Sequence, residues 1–188
     1  MEKRMTGPCK FRADEADGQK HISGYFIVFD DTYHMPDGSE ERIDRHAVDD
    51  SVSGDIRCLT DHDTRLVLGR TGAGTMTLTI DDHGVYGDVV INDMDSDAVN
   101  TWARVQRGDV SQASFGFEIL SQRAEKTDQG RARWVVEKLN LFEVSVCTFP
   151  AYESTQLKAR QAAAIEADRT ALDAWKEIVT RRLKQCQL

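Results

Sequence analysis

His62, Ser114 and Glu143 each place a titratable or nucleophilic group inside an apolar stretch of the sequence. His62 follows Cys58-Leu59 and precedes Leu66-Val67-Leu68. That setting puts an imidazole at the edge of a sheet, where burial favours its neutral, proton-accepting form. Ser114 lies between Ala113 and Phe115-Gly116-Phe117. Its small neighbours permit close backbone approach and the aromatic ones exclude water, yet a hydroxyl stays inert until a base adjoins it. Glu143 occupies the strand-like run Leu139 to Phe149. Residues of its own parity there are Leu141, Ser145, Cys147 and Phe149, and the other parity carries Phe142, Val144 and Val146, so both faces read as buried. A buried carboxylate needs a partner. A histidine N–H is one; Arg133 or Lys138 across a hairpin is another. With His62 as that partner, the three groups compose a Ser, His, acid arrangement for acyl transfer. Each residue also has an ordinary structural role open to it, and spacing alone does not bring together positions so far apart.

The elements that must position these groups are mostly strands. Ile22 to Phe29 is rich in β-formers and ends at Asp30-Asp31. Asp37-Gly38 marks a turn, Ile43 to Ser53 has room for one short helix, and Ile56 to Thr60 and Leu66 to Gly69 flank His62 as strands. Thr75 to Ile80 alternates with period two and turns through Asp82-His83-Gly84 into Val85 to Ile91, a hairpin. Asp95 to Arg107 gathers Ala98, Val99, Trp102, Ala103 and Val105 on one side, with Asp95 or Ser96 as N-cap and Gly108 as stop, and reads as a helix. Strands follow from near Ser114 to Ser121, at Trp134 to Val136 and at Leu139 to Phe149, with a polar loop from Glu125 to Arg131 and Pro150 as terminator.

The sum is an α+β class, β-rich, with a closed or partly open, mainly antiparallel β-barrel, flanking helices and a C-terminal amphipathic helix. Residues 1–20 read as a lead-in or edge segment, 21–155 as the main domain and 156–188 as a helical tail. In the tail Leu172, Trp175, Val179, Leu183 and Cys186 recur at helical steps. That stripe either packs back on the domain or pairs with a second copy of the chain.

A chain of 188 residues with 40% hydrophobic and 30% charged residues suits one folded domain and excludes collagen-like or wholly disordered classes. No apolar run approaches the roughly 18 residues that span a bilayer, and Met1 to Lys10 is mixed and charged, so neither a membrane segment nor a secretory signal is expected. Cys9, Cys58, Cys147 and Cys186 lie far apart and form no C-x-x-C pair, which suits free thiols rather than a zinc knuckle. The net charge of -8 argues against general nucleic-acid binding. Acid concentrates in Asp30 to Asp63, with eleven Asp/Glu against three Arg/Lys, while Gln156 to Leu188 carries seven basic against four acidic residues.

Several separate stretches resemble one family, the prohead (head maturation) proteases of tailed bacteriophages, serine peptidases similar in fold to herpesvirus assemblins. The stretches are Leu59-Thr60-Asp61-His62-Asp63 with Val67-Leu68-Gly69-Arg70, Gly84-Val85-Tyr86, Gly108 to Phe117, Leu141 to Val146, and Phe149-Pro150-Ala151-Tyr152. The resemblance runs in order from about Gly24 to Tyr152, and agreement of several motifs is far more specific than any one. It implies an endopeptidase with His62 as general base and Ser114 as nucleophile. The acidic third member falls on Glu143 by motif, where assemblin-like enzymes carry a second histidine. It further implies a place in the host cytoplasm inside the immature capsid, the phage major capsid protein and its scaffolding segment as partners, removal of that segment, and self-cleavage. No metal or cofactor is expected.

For the oxyanion, backbone N–H groups of the loop Arg70-Thr71-Gly72-Ala73-Gly74, or of Phe115 and Gly116, are the candidates. Activity through a histidine base should fall below about pH 6.5, where an ordinary imidazole becomes cationic. Two rival classes remain: a non-enzymatic capsid assembly or scaffold protein, possibly oligomeric through the tail helix, and a metal-assisted hydrolase built on Asp61, His62 and Asp63 with His83 or Asp81. Neighbouring residues of one strand point to opposite faces, which makes Asp61-His62-Asp63 a poor ligand set unless the chain turns sharply there.

Overall fold

The computed structural model describes residues 2–5, 11–16, 18–34 and 38–149, all within a compact unit that spans Met1–Pro150. Eleven strands and one α-helix lie among the described residues: β1 (Glu2–Met5), β2 (Arg12–Ala16), β3 (Gln19–Val28), β4 (Thr32–His34), β5 (Glu40–Ile43), β6 (Arg57–Thr60), β7 (Asp63–Arg70), β8 (Met76–Ile80), β9 (Gly84–Val90), α1 (Ser96–Arg107), β10 (Gln112–Lys126) and β11 (Ala132–Cys147).

They form two sheets, not a closed barrel. The larger has seven strands. Its backbone is the long antiparallel hairpin β10–β11, with β1 on the outer edge of β10. The other edge of β11 is shared: β5 pairs with its first half and β6 with its second, both parallel to it. β4 continues beyond β5, and β7 beyond β6. The second sheet is antiparallel in the order β2-β3-β9-β8. No ladder joins β1, β4 or β7 to the second sheet, so the expected barrel does not close.

Residues 2–5 and 12–16, within the stretch read as a lead-in or edge segment, supply an edge strand to each sheet. Between Ile43 and Gly54 the chain makes a series of turns closed by short-range backbone bonds such as Ala47 N–H to Asp44 O and Ser51 N–H to Val48 O, in place of the expected helix. Three Asp and two Ser in that stretch compete for the backbone and favour turns over a regular helix. The two strands expected at 134–136 and 139–149 are one continuous strand, and of the polar loop expected at 125–131 only Glu125 and Lys126 enter β10, while residues 127–131 make the connecting turn. The tail from residue 156, with the helix and self-association expected of it, lies outside the described residues.

The core is a single apolar cluster between the sheets. Phe26, Ile22 and Ile27 of β3 and Val85 and Val89 of β9 meet Phe115 and Phe117 of β10, Val144 and Val146 of β11 and Cys58 of β6. The α-helix covers part of this cluster. The Asp95 side chain caps α1 by accepting from the N–H groups of Asp97 and Ala98, and Gly108 ends it in the left-handed region at φ 85°. Trp102 anchors the helix to β2 and β3 through Nε1–H bonds to the carbonyls of His21 (3.1 Å) and Asp14 (3.3 Å).

Candidate active site

The large sheet has one face on the core and one face away from it, and the three singled-out side chains gather on the second. Along β10, Ala113, Phe115 and Phe117 enter the core, which leaves Ser114 and Gly116 on the opposite face. On β11 the register sets Ser145 opposite Ser114 and Glu143 opposite Gly116. The parity of β11 changes one step earlier: Gly116 pairs with Glu143 but Phe117 pairs with Leu141, so Phe142 is an inserted, unpaired residue. This bulge lets Leu141 and Val144 both face the core while Glu143 faces away from it. It overturns the simple alternation that placed Leu141 and Glu143 together, and leaves Phe142 38% exposed.

His62 arrives from the neighbouring hairpin. β6 and β7 pair up to Thr60 and Asp63, so Asp61 and His62 are a two-residue turn. Both have positive φ, 49° and 60°, the backbone of a type I′ turn. Asparagine and glycine are usual there; a histidine in the left-handed region is uncommon and often marks a functional constraint. Asp61 fixes the turn to the end of β11: its carboxylate accepts from the Thr148 N–H (2.8 Å) and from the Thr148 hydroxyl (3.1 Å), while its own N–H donates to the Val146 carbonyl.

The turn aims the imidazole over the sheet. Nε2 lies 2.7 Å from Ser114 Oγ, and Nδ1 lies 2.7 Å from Glu143 Oε1. The second carboxylate oxygen, Oε2, accepts from the Ser145 hydroxyl at 2.6 Å, and Ser145 Oγ is also 3.3 Å from Nδ1. An ionised carboxylate only accepts, so Nδ1 carries the proton and Nε2 is the lone-pair nitrogen facing Ser114. The network is dry. Ser114 and Ser145 have no exposed surface, and the side chains of His62 and Glu143 are 15% and 5% exposed. Arg133, the alternative partner for Glu143, is bonded to Glu40, and Lys138 to Asp50. The buried Cys58 thiol, pushed well above its ordinary range by burial, with smaller contributions from Glu143 and Cys147, is an inert neighbour.

Gly116 lies beneath the carboxylate. A Cβ built there would stand 2.2 Å from Glu143 Oε1, so this glycine provides the room the acid occupies. Phe115, its neighbour, is fully buried in the core and stacks on Phe117 with ring centroids 5.1 Å apart. Because β10 is paired on both sides from Ser114 to Phe117, the backbone here is engaged in ladders. Arg70, Gly72 and Gly74 are not brought to the site. They stand at the far end of β7, roughly 20 Å along an extended strand from the His62 turn. There Arg70 is held by Asp55 (2.6 Å), and Asp55 also occupies the space beside Gly72.

The groups named in the metal-ligand reading have other partners in the same geometry. His62 has both ring nitrogens engaged, Asp61 holds Thr148, Asp63 holds Arg65, and Asp81 caps the β8–β9 turn through the N–H groups of His83 and Gly84. His83 stacks edge-on against Tyr25. No group of three or more His, Cys, Asp or Glu side chains among the described residues is arranged to hold a metal ion.

Sequence reasoning missed Ser145 and the Asp61–Thr148 tie. Period two from Glu143 pointed to Ser145, because residues i and i+2 of a strand share a face. Nothing local in the sequence pointed to Thr148 as a partner of Asp61.

A hydroxyl, an imidazole and a buried carboxylate in series, on a strand-rich scaffold, is the arrangement of the serine hydrolases as a class. The chain belongs to the caudovirus prohead serine protease family, whose model matches residues 8–169. No curated protein and no solved structure matches it. Membership makes it a serine peptidase of phage capsid maturation, which acts with capsid proteins inside the prohead. No helix among the described residues is long and apolar enough to cross a membrane.

Proposed function

We propose that Ser114, His62 and Glu143 are the catalytic relay of an endopeptidase that removes scaffolding sequence from the phage major capsid protein, and that cleaves its own chain as maturation ends. The observation that carries this reading is the pair of 2.7 Å contacts made by the two nitrogens of one imidazole. Ser114 Oγ attacks the peptide carbonyl carbon as its proton passes to His62 Nε2. Glu143 holds Nδ1–H, fixes the tautomer and stabilises the imidazolium that forms. The same proton then goes to the leaving amine, the C–N bond breaks, and water admitted next to the acyl-enzyme releases the second product by the reverse path. Ser114 is fully covered, so a peptide must displace part of its cover before attack.

The test is incubation of the purified protein with a capsid protein that carries its scaffolding segment, read by gel and mass spectrometry. Ser114→Ala should abolish cleavage with the fold retained. Glu143→Gln, which keeps shape but loses the charge that selects the tautomer, should lower kcat by about 10⁴-fold. Cleavage by Ser114→Ala at the wild-type rate would refute the relay. Absence of cleavage by wild type and variants alike, with capsid binding retained, would favour an assembly or scaffold protein.

A further inference from the structure

The hydroxyl of Ser145 has no part in the three-residue relay, yet it is the other hydrogen-bond partner of its carboxylate. We propose that Ser145 is a positioning residue: by donating to Glu143 Oε2 it fixes the rotation of the carboxylate and presents Oε1 to His62 Nδ1. This inference rests on the serine peptidase reading of the site.

Glu143 is 4% exposed, so water cannot satisfy both carboxylate oxygens, and an ionised carboxylate has about four lone-pair sites to fill. Among the described residues its hydrogen bonds are two, one at each oxygen: His62 Nδ1 at 2.7 Å on Oε1 and the Ser145 hydroxyl at 2.6 Å on Oε2. Without the second, the carboxylate is free to turn about its terminal torsion, a broad and roughly two-fold well, and to leave the imidazole. With it, both ends of the group are tied.

The tie is itself rigid. Ser145 follows Glu143 by two positions on the same face of β11, lies directly opposite Ser114 in the β10–β11 ladder, and has no exposed surface. Its side chain is as short as a hydroxyl can be, so backbone register sets the oxygen's place. Ser145 Oγ at 3.3 Å from Nδ1 also closes the side of the ring facing β11. The other charged groups around the carboxylate are engaged elsewhere. Arg57, opposite Glu143 on β6, bonds Asp55; Asp61 and Asp63, which flank His62, bond Thr148 and Arg65. Cys58, on β6, is a neutral thiol. The hydroxyl is therefore the only group besides His62 placed to orient this acid among the described residues.

The experiment compares Ser145→Ala and Ser145→Thr, each with Ser114 intact and in a Ser114→Ala background. With Ser114 intact, kcat and KM are measured separately on a capsid protein that carries its scaffolding segment. Ser145→Ala should lower kcat by about 10- to 100-fold, the span of a lost hydrogen bond to a charged group, with KM within about twofold. Ser145→Thr, which restores the hydroxyl, should recover to within about tenfold of wild type. In the Ser114→Ala background the downfield proton resonance of His62 Nδ1–H reports the Glu143 contact without any need for catalysis. It should broaden or move in Ser145→Ala and stay in place in Ser145→Thr. If either variant fails to fold, Ser145→Cys, near in volume but a weak donor, should reproduce the alanine result.

The proposal is overturned if Ser145→Ala or Ser145→Cys folds and keeps both wild-type kcat and an unchanged Nδ1–H resonance. It is equally overturned if threonine, folded, is as impaired as alanine, which would mean that only volume matters. Cleavage by Ser114→Ala at the wild-type rate would sink the relay instead, and the proton resonance would still report what Ser145 does to Glu143.

Discussion

Gly116 and Glu143 face one another across β10 and β11, and the carboxylate of one fills the space where any side chain on the other would begin. A methyl at 116 would meet Oε1 at 2.2 Å and the carboxyl carbon at 3.0 Å. Gly116→Ala should therefore push the acid away from His62. The expected result is a fall of about 10²-fold or more in kcat/KM with a loss of about 1–3 kcal/mol in stability, read by thermal unfolding and by kinetics. Adding Glu143→Asp, whose shorter chain vacates that space, should return much of the stability and none of the activity. Recovery of both together would mean that Gly116 does not act through the acid.

The turn that carries His62 is held in an unfavourable backbone region by Asp61 and its two bonds to Thr148. Asp61→Ala removes the bonds and leaves a residue poorly suited to positive φ, so it should cost about 1–3 kcal/mol and lower kcat by about tenfold or more. Asp61→Asn keeps an acceptor and tolerates that backbone, and should retain most of both. Denaturant titration and kinetics on the two variants separate these outcomes; an alanine variant as active as the asparagine one would show that the tie does not matter for the site.

Acid should weaken the fold through exposed aspartates. Hydrogen bonds from Lys138, Arg70 and Tyr25 hold Asp50, Asp55 and Asp81 below the ordinary carboxylate range, and those from Arg65 bring Asp63 down to about 2. A carboxyl whose folded value is depressed binds its proton more readily when unfolded. Its contribution is present above the unfolded value of about 4 and is lost as pH falls through the folded one. Stability measured by urea titration should thus decline from about pH 4 toward pH 2, and Asp63→Asn should flatten the lower part of that slope. The effect is small, because all four groups face solvent. A level stability across this range would count against these pairings.

Much of the site was legible in residue type and much of the fold in periodicity. An acid amid Leu, Phe and Val had to have a partner, and it has two, His62 and Ser145. Asp95 and Gly108 marked the ends of the helix because a cap and a left-handed stop are local chemistry. The oxyanion loop was read from glycine content alone, which says that a backbone is free to bend and nothing of where it lies. Arg70 to Gly74 accordingly stands at the wrong end of its hairpin. The closed barrel failed for a related reason: alternation shows which face of a strand is buried but not which strand lies beside it. The parallel pairing of β5 and β6 along one edge of β11 joins segments far apart in sequence.

The extra residue at Phe142 makes the site depend on counting as much as on chemistry. Remove Phe142 and the strand comes back into step with Leu141 and Glu143 on the faces they already hold. Insert one amino acid between Glu143 and Val144 instead and, with the ladder beyond it kept, the acid rotates through the sheet toward the apolar core while the newcomer takes its post beneath the ring. Loss of the bulged residue can be absorbed here; an extra residue after the acid cannot.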